Sequence, residues 1–100
     1  MKKIILPREK GKTTELIKMA HEEELYIITP TKSSALMIFE QARSMGLDIL
    51  FPISWEEYKE HRLRGSGIKE ILIDDAEIII EQVFRGLRIK AITMTGEVIR

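Results

Sequence analysis

Short apolar runs alternate along the chain with longer amphipathic stretches. Lys3-Ile4-Ile5-Leu6 is apolar and is stopped by Pro7. Proline carries no backbone donor and ends a ladder, so this run predicts a short buried strand. Residues 11–24 read as a helix, with Leu16, Ile17 and Ala20 on one face and Glu15, Lys18 and Glu22 turned away. Leu25-Tyr26-Ile27-Ile28-Thr29 is a second β-rich run, closed by Pro30. Residues 32–45 form the clearest amphipathic helix, because Ala35, Ile38, Phe39, Ala42 and Met45 recur at helical spacing. Thr31 or Ser33 can cap its start, and Gly46 stands where a left-handed cap is wanted.

The second half repeats the alternation. Residues 48–51 predict a third short strand before Pro52. Ser54 opens a small helix, and Glu57 completes a capping-box signature with it. Residues 59–67 are charged and end in the loop Gly65-Ser66-Gly67. Glu70-Ile71-Leu72-Ile73-Asp74 predicts a buried strand ending in acid. Ala76, Ile79, Ile80, Val83 and Leu87 then follow helical spacing, with Gly86 near the end. Residues 88–95 predict a last strand centred on Ala91 and Ile92. Strands alternating with helices imply parallel crossovers. The expected fold is therefore α/β, a three-layer α/β/α sandwich on a mainly parallel sheet of about five strands.

Composition narrows the chemistry. The 100 residues suit one domain, residues 1–100, with a single core. Sixteen basic residues balance sixteen acidic ones, so overall charge gives no case for a nucleic-acid or membrane coat. The absence of cysteine removes disulfides, thiolate catalysis and thiolate metal sites. His21 and His61 lie far apart in sequence, which argues against a zinc cage. No apolar run approaches the roughly 20 residues of a membrane span. The Met-Lys-Lys start leads into too short an apolar run for a signal peptide, so a cytoplasmic protein is expected.

The segment from Leu6 to Thr14 carries the most chemistry. It lies between a predicted strand and a predicted helix, the setting a phosphate loop requires. Backbone N–H groups at a helix start carry partial positive charge and suit phosphate. Lys10, Gly11, Lys12, Thr13 and Thr14 are the candidate nucleotide-binding residues. Gly11 allows close backbone approach, Lys12 places a point charge on the terminal phosphates, and Thr13 offers a hydroxyl to Mg²⁺. Leu6 stands where the usual motif begins with glycine. The plainer alternative is an exposed, lysine-rich helix start.

Asp74 and Asp75 follow the fourth predicted strand. An aspartate at the carboxyl end of a buried parallel strand sits at the ligand-binding edge of the sheet. Asp74 is the candidate metal ligand together with Thr13, and Asp75 is the candidate to polarise an attacking water. Asp75 is one methylene shorter than the glutamate more often found there. Either acid can instead cap the following helix.

In this order the pieces resemble the additional-strand P-loop ATPases, above all the ATPase domain of phage terminase large subunits and the first RecA-like domain of helicases. Residues 8–14 look like the terminase form of the phosphate loop, in which an arginine stands early. Residues 26–32 look like the threonine-containing helicase turn that meets nucleic acid. Residues 71–77 match the acidic motif, and residues 88–96 are similar to the strand that couples hydrolysis to movement. The resemblance implies that Arg8 senses phosphate, that Asp75 holds the catalytic acid position, and that Thr93 and Thr95 lie at the coupling position. It implies ATP and Mg²⁺ as ligands, weak ATPase activity, and a link to DNA packaging or replication, with DNA or a larger phage complex as partner. The nuclease or second RecA-like domain of those families has no room in 100 residues. A degenerate, non-catalytic interaction module is the expectation from another class, and a nucleic-acid-binding accessory is a third.

Three further features have plain alternatives. Lys59, His61, Arg62, Arg64 and Lys69 surround the glycine loop and can meet phosphates, or form a solvated loop diluted by Glu56, Glu57 and Glu60. Trp55 and Tyr58 can stack a base, or pack the short helix. The first strand is expected to be a sheet edge, open to self-association, unless Val98-Ile99 or a partner covers it.

Overall fold

A computed structural model describes residues 1–5, 11–60 and 62–99. The elements in chain order are β1 (Lys2–Ile4), α1 (Lys12–Glu23), β2 (Ile27–Thr29), α2 (Lys32–Ser44), β3 (Ile53–Ser54), α3 (Trp55–Lys59), β4 (Leu72–Ile73), α4 (Ala76–Val83) and β5 (Glu97–Ile99). This is an α/β protein. Its strands form two parallel sheets, where a single sheet of about five is expected from the sequence. One has the order β3-β2-β4 and the other pairs β1 with β5.

β2 is the centre of the larger sheet. Ile28 pairs with Ile53 of β3 on one side and with Ile73 of β4 on the other. Successive strand residues point to opposite faces, and β2 serves two cores for that reason. Ile27 joins Ile17 and Ala20 of α1, Ile38 and Ala42 of α2, and Leu72. Ile28 joins Ile53 and Ile79 of α4, with Tyr26, Trp55 and Leu63 against them. Helices thus cover both faces of β2. A proline closes the β2 run as expected, and Thr31 caps α2 through a reciprocal bond with Ser34.

The third strand lies later than expected. Residues 48–51 make no strand; β3 begins after Pro52, which is buried. Proline cannot donate to the ladder, so pairing starts at Ile53. Ile49 packs instead on the α1–α2 core, and Phe51 lies against Phe39 with ring centroids 4.8 Å apart. Ser54 and Glu57 form the expected capping box at the head of α3.

Residues 88–95 also depart from expectation, since they belong to no strand among the described residues. Their apolar positions fall on both sides of an extended chain, Ile89 and Ala91 on one and Ile92 and Met94 on the other. Such a strand needs cover on two faces. Ile92 and Met94 are exposed. β1 pairs instead with Glu97–Ile99, in the register Lys3↔Val98 and Ile4↔Ile99, so Val98-Ile99 covers one side of the strand expected to be an open edge. The α4 stripe is shorter than its spacing suggests. α4 ends at Val83, and only Ile79 is buried, while Val83 and Leu87 are exposed.

Candidate functional site

Gly11 sets the entry into α1. It has φ 87° and ψ 13°, left-handed values that cost other residues energy. Its carbonyl accepts from the Glu15 N–H at 3.1 Å and starts the helix. Lys12 and Thr13 therefore occupy the first two helical positions. Thr14, next in line, accepts a hydrogen bond from Gln41 Nε2 at 3.0 Å, which ties the head of α1 to α2.

β4 brings the acids to the same place. The Leu72 and Asp74 N–H groups donate to the Tyr26 and Ile28 carbonyls of the β2 segment, both at 2.9 Å. Leu72 faces the α1–α2 core. Asp74, two residues on, shares that face and meets α1. Thr13 Oγ1 donates to Asp74 Oδ1 at 3.2 Å across 61 residues of chain. Asp74 is buried, with 5% of its surface exposed. Burial raises its pKa above the usual 3.8 and the Asp75 charge pushes the same way, with a smaller push from Glu77; the Thr13 bond and Lys12 pull it down.

Asp75 stands at the start of α4 with φ 55° and ψ 51°, again left-handed. Its carbonyl accepts from the Ile78 and Ile79 N–H groups. Its carboxylate makes no capping bond among the described residues. It turns to Lys12 instead, with Nζ 3.2 Å from Oδ1, and Glu77 Oε1 lies 4.0 Å from the same ammonium. Two consecutive residues of α1 are thus matched to two consecutive residues after β4.

The rest of the sheet edge is polar too. Among the described residues the buried polar side chains are Thr29, Ser54 and Asp74, at or just past the carboxyl ends of β2, β3 and β4. Thr29 and Ser54 are register partners. Thr29 Oγ1 lies 2.8 Å from Ser34 Oγ of α2, and Ser54 Oγ donates to Glu57 Oε1 at 3.1 Å. The sequence shows Ser54 only as a helix cap. The signal for its wider setting is a hydroxyl closing an apolar run, as Thr29 also does.

Other expected residues lie elsewhere. Arg8, Lys10 and His61 are outside the described residues. Thr93 and Thr95 are exposed and lie on no strand. Lys59, Arg62, Arg64 and Lys69 are exposed around the glycine loop. Trp55 and Tyr58 stack on each other with centroids 5.9 Å apart, and Trp55 packs on the Ile28–Ile53–Ile79 core. His21 Nδ1 lies 2.7 Å from the Asp48 carbonyl, a link that anchors the end of α1 to the loop after α2. A shallow depression lined by Glu24, Tyr26, Gly67 and Lys69 lies at the amino ends of β2 and β4, away from Lys12 and the acids.

Comparison with family models, with characterised proteins and with solved structures finds no match for this chain. Among the described residues no helix is long and apolar enough to cross a membrane. None of their His, Asp and Glu side chains gather in threes as a cage for a metal ion.

Proposed function

We propose that this protein binds a magnesium nucleoside triphosphate, ATP, at the carboxyl edge of its sheet, as a minimal P-loop domain of the additional-strand type. The contact between Thr13 and Asp74 carries the reading. A hydroxyl on the first turn of a helix and a carboxylate after a parallel strand meet at 3.2 Å, with a lysine beside them. Thr13 and Asp74 offer hard oxygen ligands, which suit Mg²⁺. Two such ligands do not make a cage, and Mg²⁺ characteristically takes its remaining ligands from substrate phosphates and water. When bound, it would neutralise phosphate charge.

The protein's own groups divide the remaining work. Lys12 places its ammonium on the terminal phosphates. Gly11 keeps the backbone at the helix start open to a phosphate, since a side chain there would have to be carried at φ 87°. Gln41 fixes the Thr14 hydroxyl as an acceptor, which leaves its proton free to donate. The order of motifs supports a place in a replication or packaging machine that handles DNA.

Binding is better supported than turnover. Asp75 is engaged with Lys12, an ion pair within the protein, in this structure. That observation favours a second reading, a nucleotide-free interaction module that keeps the architecture without the ligand. Titration calorimetry with Mg·ATP separates the two. Heat of binding in wild type, weakened at least about tenfold in Lys12→Ala, is expected from loss of a charge-assisted phosphate contact. Absence of heat at millimolar nucleotide overturns the nucleotide reading in favour of the module.

A further inference from the structure

We infer that the contact of Lys12 with Asp75 and Glu77 is a latch on the nucleotide site, in which α4 holds the phosphate-binding lysine until an incoming phosphate displaces the two carboxylates. The latch rests on the nucleotide reading above and describes how that site is regulated.

Three observations point this way. Lys12 Nζ has two carboxylates around it, at 3.2 and 4.0 Å, both supplied by the start of α4. Asp75 is at the position where a carboxylate ordinarily caps its own helix, yet it reaches across to α1. It does so from a left-handed conformation, which aspartate is among the few side-chain-bearing residues to adopt. Together with the Thr13–Asp74 bond, the pair closes the head of α1 onto the end of β4 at two adjacent points.

The consequence is competition. A phosphate that needs the Lys12 ammonium meets an acid already on it, and the surrounding carboxylates repel the phosphate as well. Removing either acid should therefore strengthen nucleotide binding. A helper role for Asp75 or Glu77 in binding gives the opposite sign.

The test uses calorimetry with Mg²⁺ and a non-hydrolysable ATP analogue at low salt on wild type, Lys12→Ala, Asp75→Asn and Glu77→Gln. Asparagine tolerates the left-handed conformation, and Glu77 is largely exposed, so both variants are expected to fold. Tighter binding by about two- to fivefold in Asp75→Asn and Glu77→Gln is the expected result for ion pairs that are still partly open to solvent. Unchanged or weaker binding in both, with Lys12→Ala still defective, overturns the latch and leaves the nucleotide reading in place. No binding by any variant overturns the nucleotide reading, and the latch falls with it. A separate thermal cycle on Lys12→Met, Asp75→Asn and the double variant reads the contact without ligand. Non-additivity of about 1–5 °C is expected, and strict additivity overturns the latch.

Discussion

Leu72 and Asp74 leave β4 on the same side, one into the core under α1 and α2 and the other onto Thr13 at the head of α1. Side chains two apart on a strand share a face. The packing of Leu72 therefore fixes where the Asp74 carboxylate lies, and core and site are set by one register. A one-residue slip of β4 against β2 would move Asp74 to the other face and separate it from Thr13.

Burial of Asp74 has a pH signature. Its pKa is raised from 3.8, so the folded protein holds this proton to higher pH than the unfolded chain does. Between those two values the folded state binds more protons, and its stability falls as pH rises. Above the folded value the loss is complete. Asp74→Asn removes the titration while keeping an oxygen for Thr13. It should match wild type at acid pH and exceed it at pH 7, where its Tm is the higher of the two. Thermal unfolding of both proteins from acid to neutral pH checks this, and a less stable variant at pH 7 would contradict it.

Ile27 has no exposed surface and is central to the larger core. Ile27→Ala should cost about 2–5 kcal/mol, since the removed carbons leave a cavity between two helices. Urea unfolding measures it. A loss under about 1 kcal/mol would mean that the core is not packed as described.

Gly96 is where the chain turns into β5. A Cβ there would lie 2.5 Å from the Met1 carbonyl oxygen and 3.2 Å from Lys3 Nζ, and φ is 146°. Gly96→Ala should therefore disrupt the pairing of β1 with β5. Amide exchange at residues 2–4 should speed up by about tenfold or more, the equivalent of about 1.4 kcal/mol of local opening. Unchanged protection of those amides would rule out the close approach.

Ser54 is buried and caps α3 from the last position of β3. Ser54→Ala should destabilise the fold by about 1–2 kcal/mol, near the upper end for caps because the hydroxyl also bonds Glu57 inside the protein. Chemical denaturation of the variant gives the value directly, and a neutral result would place the cap outside the cooperative unit.

Punctuation made much of the fold legible. Pro30 closes the run that becomes β2, Thr31 and Gly46 bracket α2, and the Ser54–Glu57 pair opens α3. Pro52 marks the boundary of β3 but misleads as to the side, because the apolar run before it packs as loop while the ladder forms after it. Residues 88–95 carry a strand-like pattern, and pattern alone does not provide the partner that a strand needs.

Local chemistry made the candidate residues legible: a glycine with the freedom a tight helix entry needs, a lysine and a threonine at a helix start, and two acids after an apolar run. Those are properties of neighbours along the chain, so the order of residues suffices to show them. Only the tertiary structure decided that Thr13 meets Asp74, that Lys12 is already held by Asp75 and Glu77, and that Thr29 and Ser54 line the same edge. Each of these depends on strand register and on which face a helix covers. Contacts between distant segments fix both, through burial that no local pattern encodes.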